Sequence, residues 1–409
     1  MTELETKYPN INFHKYNCGL LDTDLYKITQ KYAVQSLYPN AYAKYKFINR
    51  GKQRFDENFL YYLKSNIKFF CNTTWLIVPD ETNWLKEHLN YINPMFFDAL
   101  RNYKFKYDQL NIKLTSDNNL ELTIEGPWQE TILWEIPLMS LISQTYFTYI
   151  EDGKYWNYDN QYEKAYEKAI KLRLANCKVA EFGTRRRRSL GVQELVIKAF
   201  LDVQNKLIDG KLGTNFVGTS NVALAMKYGT KAIGTFAHEW VMGISALESF
   251  NHANYFAMQN WSCVFNANLG TVLTDNYGLD SFLKSFNLRF AKTFDSVRHD
   301  SGDPFVFTDK IIAHYKKLNI NPLHKTIVFS DGLDVDKCIE LKKYCEGKID
   351  CSFGIGTHLT NDFKNSPALN MVIKLTEING TPVVKLSDNP LKATGDPEAI
   401  KFMRWVYNV

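Results

Sequence analysis

Residues 178–190 read Lys-Val-Ala-Glu-Phe-Gly-Thr-Arg-Arg-Arg-Arg-Ser-Leu. A short, mostly apolar run ends in a Gly-Thr tip and four consecutive arginines. Beyond the tip, Leu195, Ala199, Val203 and Leu207 recur at i+4 spacing, the period of a helix with one buried face. Strand, polar tip and helix make one βα unit.

The unit recurs along the second half of the chain. Residues 215–217 run into Gly218-Thr219-Ser220-Asn221, then a helix over 222–228 that Gly229 stops. Residues 232–236 lead to Ala237-His238-Glu239, and 290–294 to a polar tip at 295–303 with Pro304 opening the next helix. Residues 326–329 lead to Ser330-Asp331-Gly332 and a helix over 334–344, and 351–353 to Gly354-Ile355-Gly356-Thr357. Six such units predict a parallel sheet closed as a barrel, whose strand ends converge on one face. Any one tip is ordinary turn chemistry; six of this polar composition point to a shared ligand. Residues 1–130 lack the rhythm and mix aromatic-rich helical segments with short strands such as 119–125. The tail reads as a hairpin, 370–378 and 382–386, around Asn379-Gly380. The expected fold is an irregular α/β barrel with a smaller α+β domain built from both chain ends. The predicted boundaries are 1–130, 131–361 for the barrel, and 362–409 completing the first domain.

Composition narrows the function. The 409 residues carry 49 Lys+Arg and 44 Asp+Glu, a net charge of +5, too small for a generic nucleic-acid footprint. The most apolar stretch, 131–150, is interrupted by Glu135, Pro137 and Gln144, and residues 1–10 are polar, so neither a membrane span nor a signal peptide is expected. Seven cysteines without CxxC spacing suit a reducing cytoplasm.

The tips carry the chemistry. Arginine pairs bidentately with phosphates and carboxylates, and the helix start after Ser189 adds free N–H groups. The competing reading of Arg185 to Arg188 is a solvated loop or an RNA-binding patch, which a shallow salt dependence of RNA affinity would dismiss. Asp300-Ser301-Gly302-Asp303, just after Arg298, offers two carboxylates of the kind that accompany Mg²⁺ and diphosphates; alone, it equally fits a turn and a helix cap. His238 is followed by Glu239, but position 242 is Met, so HExxH is absent. There is no GxxxxGK[ST] and no GxSxG. A phosphosugar isomerase or aldolase would need a base or Schiff-base lysine at a tip, and the motif tips hold no Lys.

Together the segments resemble the nicotinate phosphoribosyltransferase family. The matching stretches are LDTDLYKITQ (21–30), EFGTRRRRS (181–189), VGTSNVALA (217–225), GTFAHEW (234–240), DSVRHDSGDP (295–304), FSDGLD (329–334), FGIGTHLTND (353–362) and KLSDNPLKATGDPE (385–398). They keep the family's order over almost the whole chain. The resemblance implies a type II phosphoribosyltransferase barrel that joins nicotinate to 5-phosphoribosyl 1-diphosphate. It also implies coupled ATP hydrolysis through a phosphorylated His238, with Mg²⁺ as cofactor and a homodimer with shared active sites.

The resemblance further implies roles. Phe182 holds one face of the pyridine ring, and Tyr26 the other from a partner subunit. Arg185 meets the 5-phosphate with Gly356 and Thr357, Gly354 belongs to the same substrate-binding set, and Arg298 orients the nicotinate carboxylate. Asp300 positions ribose hydroxyls and, with Asp303, is the candidate metal ligand. Thr219, Ser220, Ser301, Gly302, Ser330, Asp331 and Gly332 complete the substrate-binding set. The sister activity, nicotinamide phosphoribosyl transfer, places an aspartate where Ser220 stands here. A carboxylate would repel nicotinate whereas a hydroxyl can donate to it. Ser220→Asp is therefore expected to shift preference toward nicotinamide, measured as the ratio of kcat/KM for the two; an unchanged ratio would remove that role.

Overall fold

The computed structural model describes residues 6–72, 78–151, 158–207, 213 and 215–409, so the first five residues of the polar N-terminal stretch lie outside it. Its parallel sheet contains β4 (Lys178–Glu181), β5 (Phe216–Thr219), β6 (Thr271–Leu273), β7 (Ser296–His299), β8 (Thr326–Phe329) and β9 (Asp350–Ile355), in the order β5-β4-β9-β8-β7-β6. Each strand is three to six residues long and almost wholly shielded, as in an all-parallel sheet covered by helices. The edges β5 and β6 are linked by an irregular segment. Ala232 bridges to Thr219, and the Thr235 hydroxyl donates to the carbonyls of Leu269 and Thr271 at 3.2 and 2.5 Å. The barrel is irregular at that seam.

Three expectations are corrected here. Residues 232–236 form no strand: only Ala232 makes a bridge and the rest is irregular. Residues 290–294 are not a strand. Asn287 caps a helix, Leu288–Thr293, that buries Phe290 and Ala291; a five-residue apolar run does not discriminate strand from buried helix. The strand is Ser296–His299, inside what reads as the polar tip, so Val297 and His299 face the core while Arg298 alternates to the other side. The helix after the four arginines ends at Gln204, leaving Leu207 exposed.

A second, antiparallel sheet has the order β11-β10-β1-β3-β2, from β1 (Tyr42–Asn49), β2 (Leu110–Leu114) and β3 (Leu120–Pro127) with β10 (Met371–Ile378) and β11 (Thr381–Pro382). Both chain ends build it. β1 is central, pairing β10 on one side and β3 on the other. Asn379 and Gly380, at φ 49° and 78°, make the turn that two left-handed residues allow. No helix among the described residues is long and apolar enough to cross a membrane.

Candidate active site

The strand ends of the parallel sheet and one face of the antiparallel sheet enclose a cavity of about 1110 Å³. Tyr26, Phe182, Arg185, Ser220, His238, Arg298, Asp300, Ser330, Asp331, Gly332, Gly354, Gly356 and Thr357 all line it. Long-range pairing brings the N-terminal segment in. Asp24 bridges Asn221, Leu25 N–H donates to the Ser220 carbonyl and Val222 N–H to Thr23, which seats the helix Leu25–Leu37 at the cavity wall. Tyr26 thus shares the cavity of its own chain with Phe182. Both rings line this one cavity, with the Tyr26 hydroxyl donating to Glu135 at 3.3 Å. Gly354 leaves the room for Phe182, since a Cβ there would lie 2.3 Å from that ring.

The four arginines diverge, because consecutive side chains around a turn cannot face one ligand. Arg185 and Arg186 line the cavity, with Arg185 3.5 Å from Glu135. Arg187 is buried and paired bidentately with buried Asp22, both bonds at 2.7 Å. Arg188 lies between the rings of Phe147 and Phe363 and donates to Asn361 and Ser366. Arg187→Met would leave Asp22 an unpaired buried carboxylate. It is expected to cost about 3–5 kcal/mol of stability, read from the urea unfolding midpoint; a loss under about 1 kcal/mol would contradict the pairing.

His238 opens the helix His238–Leu247 and is buried. Its Nε2 lies 2.7 Å from Asp275 and 3.7 Å from Asp300. Burial, and then the Lys385 ammonium, push the ring down to about 4, so it is neutral near pH 7. Against its burial, His238 and Lys385 hold Asp275 well below the usual carboxylate range. Ser301 donates to Asp275 at 2.5 Å, so this predicted binding residue supports the wall from behind. Arg298 donates to Ser330 at 2.8 Å and to Asp300 at 3.2 Å; its guanidinium is the main influence lowering Asp300 against burial.

Three other predicted residues fall outside the cavity lining. Asp303 caps the helix Pro304–Lys317, its Oδ1 accepting from the N–H groups of Phe305 and Val306 at 2.8 and 3.1 Å. His238, Asp275 and Asp300 face one another, their ligand atoms within 4.8 Å. Thr219 is buried, donating to Glu181 at 2.6 Å. Gly302, at φ 83°, makes the exposed turn. Ser220 lines the cavity but donates its hydroxyl proton to Asp24 at 2.7 Å.

Sequence reasoning missed Asp24, Arg50, Glu135, Asp275, Lys374 and Lys385. All except Asp275 line the cavity. Asp24 and Lys385 stand inside stretches already conspicuous by motif; Arg50, Asp275 and Lys374 carry no local signal.

The family model for the nicotinate phosphoribosyltransferase (NAPRTase) family matches residues 177–409, and that for its N-terminal domain matches 21–143. The chain belongs to the nicotinate phosphoribosyltransferase family. It is 45% identical to the nicotinate phosphoribosyltransferase of Methanosarcina acetivorans, covering 95% of this chain and 97% of that one. The Saccharomyces cerevisiae relative of the same name is 39% identical, covering 94% and 93%. The crystal structure of nicotinate phosphoribosyltransferase from Porphyromonas gingivalis superposes with a TM-score of 0.89 at 36% identity, over 96% of this chain and 99% of that chain. The family model spans every parallel strand described above, while the N-terminal-domain model covers the segment that brings Tyr26 to the cavity.

Proposed function

We propose that this protein joins nicotinate to 5-phosphoribosyl 1-diphosphate, releasing pyrophosphate, and couples the step to ATP hydrolysis through His238. The observation that carries the reading is one cavity holding Tyr26, Phe182, Arg185 and Arg298 beside a neutral His238 backed by Asp275. The flat pyridine suits a slot between aromatic faces, and Arg298 is the cation assigned to its carboxylate. The ring nitrogen attacks the anomeric carbon as the diphosphate leaves, so the site must align two atoms and neutralise a departing anion. Arg50, Arg186, Lys374 and Lys385 supply the positive charge, and little proton transfer is needed.

The phosphoryl branch uses His238. An ionised Asp275 can only accept, so Nε2 keeps the proton and Nδ1 carries the lone pair that attacks the γ-phosphorus of ATP. ADP leaves, and water later takes the phosphoryl group from His238. The N-terminus of the helix His238–Leu247 favours the added negative charge. Mg²⁺ fits Asp300, an ionised carboxylate that is 22% exposed and lines the cavity; bound with diphosphate oxygens, it would neutralise leaving-group charge. Asp275 suits it less, being engaged by His238, Lys385 and Ser301. We place the reaction in the cytoplasm, whose reducing poise suits seven cysteines without CxxC spacing. A homodimer with shared active sites, in which the partner's equivalent of Tyr26 covers the second face of the pyridine, remains part of the reading. Labelled γ-phosphate of ATP should appear on His238 as an acid-labile phosphoprotein; label elsewhere, or none, would refute the coupling.

Lys374 gives a pH dependence. Burial, then Lys385, push its ammonium down to about 7. The protonated form is the one that attracts diphosphate, so affinity is full below that value and falls as pH rises through it. Between about pH 6 and about pH 8, calorimetry should show phosphoribosyl diphosphate binding weaken about tenfold, with Lys374→Met flattening the curve. An identical curve in the variant would show that Lys374 does not face the diphosphate.

A further inference from the structure

A buried cation joins the neighbours of Tyr26 and His238. Lys27 is fully buried on the helix Leu25–Leu37, immediately after Tyr26. Its ammonium pairs with Glu135 at 2.7 Å and also with Glu239. Glu135 further accepts from the Tyr26 hydroxyl at 3.3 Å and lies 3.5 Å from Arg185. Glu239 follows His238 in the first turn of its helix, and accepts from Trp128 Nε1 at 3.1 Å and from the Tyr45 hydroxyl. Two carboxylates with Lys27 and Arg185 balance in charge, and each group has a partner. Desolvating such a set is costly, and a Leu or Met in place of Lys27 with apolar neighbours would pack as well. Stability alone does not explain it.

We propose that Lys27 is a positioning residue: bridging Glu135 and Glu239, it sets the ring-binding Tyr26 and Arg185 and the phosphoryl-accepting His238 in one register. When a phosphate draws on Arg185, the Arg185–Glu135 contact weakens and Glu135 leans further on Lys27. The His238 helix is held through the same ammonium by Glu239. Loss of the bridge should therefore loosen ring binding and let ATP hydrolysis run without mononucleotide formation.

The phosphohistidine arm rests on the coupled reading above, so the ratio of ATP hydrolysed to mononucleotide formed is measured first in the unmodified protein. A ratio near zero there would count against the coupling, and the nicotinate KM alone would then decide the role of Lys27. Lys27→Met is expected to raise that KM about tenfold and the ratio about threefold or more. Because Lys27→Met leaves two buried carboxylates facing each other, Glu239→Gln is the second variant. It keeps Lys27 paired with Glu135 and preserves side-chain volume. It should raise the ratio about threefold while moving the nicotinate KM less than about twofold. A merely structural lysine would lower the melting temperature and leave both readouts within about twofold of the unmodified protein, and that result would overturn the proposal.

Discussion

Replacing His238 by Gln is expected to lower ATP hydrolysis by at least about a thousandfold and to abolish its stimulation of mononucleotide formation, while slow ATP-independent transfer persists. Gln keeps an N–H donor for Asp275, so the carboxylate that lies 2.7 Å from the imidazole is not orphaned. What disappears is the lone pair of a neutral ring, since burial and Lys385 keep the imidazole uncharged. The ring-binding residues sit on other elements: Phe182 after β4, Arg298 on β7, Tyr26 on the helix Leu25–Leu37. They should be untouched, which is why the nicotinate KM of the residual reaction is expected to stay close to its original value. An enzyme that still couples ATP without His238 would mean that another group accepts the phosphoryl.

Arg298→Leu should have the next largest effect. Its guanidinium donates to Ser330 and Asp300 from a strand end and presents its remaining N–H groups to the cavity. A charge-assisted bond to a carboxylate is worth about 1.5–3 kcal/mol, so kcat/KM for nicotinate should fall about 10- to 150-fold. Nicotinamide carries no such charge and should lose much less, so the preference between the two narrows. Lys should not rescue, because a point charge cannot serve Ser330, Asp300 and a ligand carboxylate together. Equal losses for acid and amide would mean that Arg298 only holds Asp300.

The tips at β4, β5, β8 and β9 are legible because each strand ends in residues whose polarity has no use in a core. At 290–294 the same logic misleads, since Phe290 and Ala291 are equally at home on a buried helical face. Asp275 escapes notice because β6 has only three residues, too few to show a period. The place of Tyr26 depends on pairing such as Ser220 with Asp24, 196 residues apart, which no local pattern encodes. Lys374 belongs to the antiparallel sheet, so its approach to the barrel's mouth follows from how the two sheets pack. The run at 185–188 looks uniform in sequence and is divided by geometry into two cavity residues and two buried ones.

The most direct test of the account is mononucleotide formation from nicotinate or nicotinamide with phosphoribosyl diphosphate and Mg²⁺, with and without ATP. The account expects nicotinate mononucleotide, formed faster when ATP is present and accompanied by ADP. Product from nicotinamide alone, or from neither base, would contradict it.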